Sequence, residues 1–354
     1  MKILILALSG IGDALMFTPA LRLLKSEMPQ ADIDALVMIN SAREMYERNK
    51  NINKVIYFDF LKEGLFSSLK FISSLRKKYD ISINVYPSNR KEYNIINYLI
   101  GAEKRAGVNY LRRDINNFGF LNNIRVYENE AVHNVQTNIN LIEKILNKTF
   151  NEEPLLNFSL SEHDESFAED YLKRLNISEN DFVVGFHPGC ATLKNHIKRR
   201  WEPEKFAGLA KLLVEKEKAK VLIFGGPEED ELKENISAQI NSPNVFVIKT
   251  DNLTSSAAIM KRCKVFITND SSLMHIASAL GLKIVAIIGP TNRFYIRPWK
   301  TDYRIVSLNL SCSPCFFYSP KPLKCYRDDV LFKCIKEIDV ELVYDAVKDM
   351  MEEL

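Results

Sequence analysis

The sequence predicts an α/β protein with two Rossmann-like, doubly wound parallel-sheet domains that face each other across a cleft. The chain of 354 residues is too long for a single ordinary core. Apolar strand segments alternate with amphipathic helix segments, and the alternation restarts after a polar stretch at residues 150–180. The strand segments are continuously rich in Ile, Leu and Val, as in a parallel sheet covered on both faces.

The first predicted domain, residues 1–160, alternates strands with helices. Its strand segments are KILILAL, IDALVMI, NKVIYFD, DISINVY and KRAGV. Its helix segments are ALRLLKSEM, SAREMYERN, FSSLKFISSLRKKY, KEYNIINYLIG and HNVQTNINLIEKILNK.

The second predicted domain, residues 161–335, repeats this pattern. Its strands are predicted at DFVVGFHPG, AKVLIFGG, NVFVIK, KVFITND and KIVAIIG. Its helices are predicted at HDESFAEDYLKRL, PEKFAGLAKLLVEK, EEDELKENISAQI, SSAAIMKRC and LMHIASALG. Residues 336–354 contain a last helix, VELVYDAVKDMMEEL.

Composition indicates a soluble globular protein, because 46% of the residues are hydrophobic and 26% are charged. No apolar run approaches the roughly eighteen residues of a membrane span. The first residues, MKILILALSG, resemble a signal peptide, but the run ends in Gly-Ile-Gly-Asp without a small-residue cleavage site. We therefore interpret it as a first strand and expect a cytoplasmic protein.

Positive charge is concentrated in the first part of the chain. The net charge is +3, but residues 1–150 contain 21 Lys+Arg against 15 Asp+Glu. This excess is typical of a solvated surface, or of a surface that meets an anionic acceptor or an anionic membrane. A nucleic-acid partner is not expected, because the chain has no basic helix with interleaved aromatic residues.

The first glycine motif is Gly10-Ile11-Gly12, followed by Asp13. A dinucleotide fingerprint needs a third glycine where this chain has Leu15, so the motif argues against NAD. We expect Gly10 and Gly12 to permit a tight turn and the close approach of a substrate. Asp13 has two open interpretations, a helix N-cap and an ionised general base for an incoming hydroxyl.

Two stretches of the second domain have the chemistry of a phosphate site. Lys198, Arg199 and Arg200 precede Trp201 and a helix, and they are either phosphate ligands or a solvated basic loop.

The second stretch, Asp270-Ser271-Ser272, ends a strand and opens a helix that contains His275. Free N–H groups at such a helix start bind anions, although capping residues and a core histidine explain the same pattern.

Together these motifs resemble the heptosyltransferase family of glycosyltransferases, which build the inner core of lipopolysaccharide. The resemblance spans nearly the whole chain. It rests on GIGDALMFTPALRLLK, HPG, KRRWEPEKFAGLAKLL, FGGPEED, NDSSLMHIASALGLKIVAIIGPT and CSPCF, in this order. It implies a GT-B fold, an acceptor site on the N-terminal half and a nucleotide-sugar site on the C-terminal half. It also implies a last helix, within residues 336–354, that crosses back to the N-terminal domain.

The resemblance assigns roles to particular residues. Asp13 matches the catalytic base, with Gly10 and Gly12 in the acceptor-side turn. The residues that match the nucleotide-sugar site are Thr192, Lys198, Arg199, Arg200, Gly225, Gly226, Glu228 (with Glu229 as its alternative), Asp270, Ser271, Ser272 and His275. The chain departs from the family pattern at two places. Ser272 stands where glycine is usual, and a second arginine precedes Trp201. The second arginine leaves open which cation contacts the phosphate.

The activity that the resemblance implies is an inverting heptosyl transfer without an obligatory metal or other cofactor. The donor would be ADP-L-glycero-D-manno-heptose and the acceptor a lipopolysaccharide inner core, with peripheral contact to the inner membrane. One alternative is a related transferase that uses another nucleotide sugar or another surface-glycan acceptor. A second alternative is a GT-B-fold sugar-nucleotide epimerase, which needs no acceptor.

Four cysteines form a C-x2-C-x9-C-x8-C set, namely Cys312, Cys315, Cys325 and Cys334. A set of four thiolates that begins with C-x2-C is compatible with a structural zinc site. A structural cluster without metal is the other interpretation, since related enzymes do not require these cysteines for transfer.

Overall fold

The computed structural model describes residues 1–88, 90–112, 115–317 and 322–352. The chain forms two compact units, Met1–Ser159 and Leu160–Leu354. The predicted boundary lies between residues 160 and 161. Each unit contains its own parallel sheet and its own apolar core.

The first unit is built on a six-stranded parallel sheet in the order β3-β2-β1-β4-β5-β6. Its strands are β1 (Lys2–Ala7), β2 (Asp32–Val37), β3 (Lys54–Tyr57), β4 (Ile81–Asn84), β5 (Lys104–Asn109) and β6 (Ile124–Tyr127). Edge strand β6 was not predicted. It alternates half-buried with exposed residues, so it lacks the continuous apolar run of a central strand.

Helices cover this sheet. They are α1 (Ile11–Met16), α2 (Thr18–Glu27), α3 (Asn40–Glu47), α4 (Leu65–Leu75), α5 (Lys91–Ile100) and α6 (Asn134–Leu146), with a short 3-10 helix at Gly119–Leu121. Phe17 separates α1 from α2, and Pro19 lies in the first turn of α2. Proline fits a first turn, because the N–H it lacks would have no intrahelical partner there.

The second unit repeats the architecture with the sheet order β12-β11-β10-β7-β8-β9. Its strands are β7 (Val183–His187), β8 (Lys220–Ile223), β9 (Val245–Val247), β10 (Val265–Asn269), β11 (Lys283–Ile287) and β12 (Tyr303–Val306). Its helices are α7 (Glu162–Arg174), α8 (Pro203–Glu217), α9 (Asp230–Ile240), α10 (Leu253–Met260), α11 (Ser272–Ala279), α12 (Arg293–Ile296), α13 (Lys333–Lys336) and α14 (Val340–Glu352), with 3-10 turns at Leu193–Arg199 and Pro227–Glu229. Within the described ranges, no helix is both long and apolar enough to cross a membrane.

The last helix, α14, packs on the second unit. It contacts α8, β11 and β12, and Val343, Val347 and Met350 are fully buried in the core of this unit. Tyr344 also donates a hydrogen bond to Glu217 at the end of α8. The buried face of α14 is thus used within the second unit, and the expectation that the last helix crosses back to the N-terminal domain stays a prediction.

Each sheet reverses its strand order at one point. β1 lies between β2 and β4, and β7 lies between β8 and β10. Open α/β sheets bind ligands in the crevice outside the carboxyl ends of the strands at such a switch point. In the first unit this point is followed by the turn that contains Asp13. In the second unit it is followed by Pro188-Gly189 on one strand and by Asp270 on the other.

Candidate functional site

Asp13 lies in the first turn of α1, directly after β1. Gly10 is the N-cap residue in an extended conformation, and its backbone N–H donates to Asp13 Oδ2 at 3.3 Å. Asp13 is therefore the third residue of the helix and not the N-cap itself. Its carboxylate still supports the helix start, because it accepts a backbone N–H that has no intrahelical partner.

Gly10 does not need the conformational freedom of glycine. Its φ is −66°, which any residue adopts, and an added Cβ would lie 3.7 Å from Asp13 Oδ2, an ordinary contact. The expected tight turn therefore does not explain glycine at this position. The other expectation, that a substrate approaches the exposed backbone closely, stays a prediction.

Two buried tyrosines lie near Asp13. Tyr93 donates to the carbonyl of Leu8 at 2.7 Å, and the Tyr110 hydroxyl accepts the N–H of Ser88 at 2.5 Å. Burial raises the pKa of Tyr93 to about 12, and the charge of Asp13 adds to this rise. Sequence reasoning missed both residues, because no motif surrounds them and only the fold brings the end of β5 and the start of α5 beside α1.

Asp270 anchors Arg199 at the switch point of the second unit. Arg199 Nη1 donates to Asp270 Oδ2 at 2.5 Å, and Thr291 Oγ1 donates to the same oxygen at 2.7 Å. All three side chains are buried. Burial alone would raise the pKa of Asp270, but the charge of Arg199 and the hydrogen bond from Thr291 hold it below its ordinary value. The carboxylate is therefore ionised and fixes the guanidinium.

Glu229 is the centre of a second polar network. Its carboxylate accepts hydrogen bonds from His187 Nε2 at 3.0 Å, Arg200 Nη2 at 3.0 Å and the backbone N–H of Gly226 at 3.3 Å. The other His187 nitrogen, Nδ1, lies 2.8 Å from Ser271 Oγ at the start of α11. Burial opposes ionisation of Glu229, but the bond from His187 and the charge of Arg200 keep its pKa lowered.

The sequence favoured Glu228 over Glu229 in this turn. Glu228 is exposed, whereas Glu229 is buried and bridges three elements. His187 was quoted only as part of the HPG motif and received no role. The signal that identifies both residues is the arrangement of the strands, since β7 and β8 end side by side and bring them together.

Glycines make room for the Glu229 carboxylate. An added Cβ at Gly189 would overlap with Glu229, and one at Gly225 would lie 2.7 Å from Glu229 Oε2. Gly225 also has a φ of +158°, where other residues are strained. The buried Lys233 also stabilises this turn, since its ammonium donates to the carbonyl of Gly225 at 3.0 Å.

The remaining predicted donor residues differ in exposure. Thr192 precedes the 3-10 turn and Lys198 lies within it, both exposed, and Ser272 is half-buried at the first position of α11. His275 is buried one turn into α11, and burial lowers its pKa to about 4 although Asp270 opposes the shift. Of the three predicted cations, two are anchored by buried carboxylates and Lys198 projects towards solvent.

Comparison with known proteins identifies the family. Residues 68–326 match the model of glycosyltransferase family 9 (heptosyltransferase). The chain belongs to glycosyltransferase family 9. A relative, lipopolysaccharide heptosyltransferase 2 of Escherichia coli K12, is 28% identical over 321 residues, which cover 87% of this chain and 88% of that protein.

Solved structures confirm the fold of this family 9 protein. The structure of E. coli ADP-heptose lipopolysaccharide heptosyltransferase II matches with a TM-score of 0.76 at 24% identity, covering 100% of both chains. A family 9 glycosyltransferase from Veillonella parvula matches with a TM-score of 0.77 at 23% identity, covering 100% of this chain and 97% of that one. The predicted α/β class, GT-B, is thereby confirmed, and so is the prediction that the chain is a glycosyltransferase.

The four cysteines of this family 9 chain do not support a zinc site. Cys312 and Cys315 are exposed, Cys325 is half-buried and Cys334 is buried, all as free thiols. In the ranges that the structure describes, no group of three or more His, Cys, Asp or Glu residues is placed to hold a metal ion. Burial and the neighbouring sulfurs raise the pKa of Cys334 to about 12. The thiols instead make local contacts, such as the bond from the Phe332 N–H to Cys325 Sγ at 3.3 Å.

Proposed function

We propose that this protein is an inverting, metal-independent glycosyltransferase that transfers a heptose from ADP-L-glycero-D-manno-heptose to a lipopolysaccharide inner-core acceptor. Membership of family 9 supports the sugar class, and the name of the E. coli relative supports the acceptor class. The observation that carries the proposal is the paired arginine–carboxylate network at the switch point of the second unit. The reaction implies a cytoplasmic protein, because nucleotide sugars are made there.

We assign the diphosphate of the donor to this network. Arginine has five N–H donors, and the hydrogen bonds of Arg200 to Glu229 and to the carbonyl of Cys190 both come from Nη2. Within the described chain, Arg200 Nε is buried without a hydrogen-bond partner, which is costly unless a ligand accepts from it. The free N–H groups at the start of α11 supply further donors for an anion.

The nucleoside would lie against the turn that follows β8. Gly225 and Gly226 are half-buried there and have no side chains, and Glu228 is the exposed acidic side chain beside them. A carboxylate suits this place because it accepts hydrogen bonds from ribose hydroxyls. The buried ammonium of Lys233 keeps the turn rigid.

The proposed reaction is a direct displacement. Asp13 accepts the proton of the acceptor hydroxyl while that oxygen attacks the anomeric carbon of the heptose. The bond from this carbon to the diphosphate oxygen breaks from the opposite side, so the configuration inverts and ADP leaves with the bonding electrons. Fixed guanidinium groups and helix N–H groups stabilise the negative charge that develops on the leaving oxygen.

The substitution Asp13→Asn tests the role of the base. Asparagine keeps an oxygen that accepts the Gly10 N–H, but it does not take a proton. We expect transfer to fall by about 100-fold or more, the usual contribution of a general base, while ADP affinity and the melting temperature stay near wild type. Transfer at the wild-type rate would leave Asp13 with a structural role alone.

A panel of nucleotide sugars tests the donor and the reaction class. The wild-type protein is incubated with each sugar, with and without heptose-deficient lipopolysaccharide, in EDTA or in Mg²⁺, and the products are weighed by mass spectrometry. We expect that ADP-heptose is the only sugar of the panel that yields a glycosylated acceptor. The rate of this transfer should be the same in EDTA and in Mg²⁺. Conversion of a donor without acceptor would instead indicate an epimerase, and loss of transfer in EDTA would contradict metal independence.

A further inference from the structure

Four large apolar side chains are exposed together on the first unit. They lie in the turn after β3 and in the first turns of α4, and we call them the outer patch: Leu61, Leu65, Phe66 and Leu69. Their exposed fractions are 68%, 78%, 83% and 47%. Single exposed apolar residues are common on protein surfaces, but a contiguous group marks an interaction site.

Folding of the first unit does not require the outer patch. Helix α4 already has an inner apolar face, since Ile72 and Leu75 are buried in the core of this unit. The helical residues of the outer patch border this inner face, and their side chains stay exposed. The apolar surface of α4 is therefore wider than the part that the core covers, and the uncovered part is available to a partner.

The outer patch is held in a defined conformation. The backbone N–H groups of Leu61 and Lys62 both donate to Asp59 Oδ1, at 3.1 and 3.2 Å. Beneath the turn, the rings of Phe58 and Phe71 stack with centroids 4.0 Å apart. The patch is thus a fixed surface on a packed aromatic base.

Positive charge surrounds the outer patch. Residues 57–78 contain five Lys or Arg against two acidic residues, Asp59 and Glu63. Lys62 and Lys70 are exposed beside the apolar side chains, and Arg76, Lys77 and Lys78 follow at the far end of α4. Lysine is depleted at protein–protein interfaces, whereas apolar residues beside lysines are typical of helices that lie on anionic membranes.

We propose that the outer patch docks the protein on the surface of an anionic lipid bilayer. The apolar side chains enter the boundary between head groups and acyl chains, and Lys62 and Lys70 lie level with the negative head groups. This inference goes beyond the proposed transfer reaction, because it concerns binding to lipid without acceptor or donor. It gives the general expectation of peripheral membrane contact a specific surface.

The substitution Phe66→Trp provides a direct probe. The chain has two tryptophans, Trp201 and Trp299, and both are buried, so a tryptophan at position 66 reports on the patch alone. We expect its emission to shift to shorter wavelength with vesicles that contain about 30% phosphatidylglycerol, and to a smaller extent with pure phosphatidylcholine, since anionic lipid adds attraction. Brominated lipids should quench this emission, while that of the wild type stays unchanged.

Sedimentation with the same vesicles measures the contribution of each group. We expect Leu65→Ser/Phe66→Ser to lower partitioning about tenfold or more through lost apolar burial. Lys62→Gln/Lys70→Gln should lower it about fivefold per lysine, with an effect that disappears at high salt. The control Leu155→Ser/Leu342→Ser removes exposed leucines elsewhere and should bind like wild type.

Several results would overturn the proposal: no partitioning of the wild type, equal binding to neutral vesicles, or an equal loss in the control variant. A dimer in analytical ultracentrifugation that Leu65→Ser/Phe66→Ser abolishes, without lipid binding, would identify a second copy as the occupant. Transfer to a delipidated, soluble acceptor should be unaffected by the patch variants. Vesicle binding therefore tests lipid docking, and transfer to the soluble acceptor tests the proposed reaction, so a failure of one is distinguishable from a failure of the other.

Discussion

At the scale of single residues, Glu229 connects three parts of the proposed donor site. Its carboxylate accepts hydrogen bonds from Arg200, His187 and the backbone N–H of Gly226. The other ring nitrogen of His187 is hydrogen-bonded to the Ser271 hydroxyl. A buried carboxylate in this position orients a cation at one end and a hydroxyl at the other. It is a positioning residue, since no bond of its own to the substrate is required.

The substitution Glu229→Gln removes the charge and keeps the shape. The bonds to Arg200 and His187 are charge-assisted, and each contributes about 1.5–3 kcal/mol in proteins. We expect the dissociation constant for ADP, measured by calorimetry, to rise about tenfold or more, because Arg200 is no longer held in place. The exposed neighbour provides the matched control: Glu228→Gln should lose less affinity and leave the melting temperature unchanged. Equal effects of the two changes would contradict the positioning role.

His275 links stability to pH. Burial lowers its pKa to about 4 in the folded protein, against about 6.5 in an unfolded chain. Between these values the unfolded state binds more protons, so this contribution is fully present above about pH 6.5 and is lost as the pH falls towards 4. The half-buried His196 is shifted in the same direction.

Urea denaturation at pH 7 and pH 5 measures this effect. We expect the free energy of unfolding to fall by about 2 kcal/mol on account of His275 alone. In His275→Gln the same decrease should be smaller by about that amount, because glutamine does not titrate. An identical pH dependence in the two proteins would show that His275 is not held neutral by its surroundings.

At the scale of elements, the turns after the strands shape the proposed donor site. The turn after β7 has no room for a side chain at Gly189, because the Glu229 carboxylate occupies that space. We expect Gly189→Ala to lower the free energy of unfolding by about 1–3 kcal/mol, as overpacked cores do, and to weaken ADP binding. Gly64→Ala is the control, since nothing lies within 4 Å of an added Cβ at that helix start. Thermal unfolding compares the two, and equal stability would contradict the packing argument.

The sequence predicted elements where one local pattern dominates. Central strands such as β1 and β10 have uninterrupted apolar runs, and they occur where these runs indicated them. Edge strand β6 has no such run, so the sequence did not indicate it. The Glu229 network joins residues 42 positions apart, so no local pattern predicts it.

At the scale of the whole molecule, the two units have the same order of strands and each has one switch point. The repeated strand and helix pattern was readable from the sequence, because it follows from local composition. The packing of α14 on the second unit was not readable, since an amphipathic helix fits either unit until its partners are known. Anchoring of Arg199 and Arg200 also needed the fold, because their carboxylates lie in the turns that follow β10 and β8.

The division of roles between the units is the central claim: the second unit binds the donor diphosphate and the first supplies the base. A crystal structure of the protein with bound ADP tests it most directly. We expect the diphosphate within hydrogen-bond distance of Arg199 or Arg200 and of the backbone N–H groups of residues 271–272. A diphosphate bound instead at the Gly10–Asp13 turn, with the arginine network empty, would contradict the account.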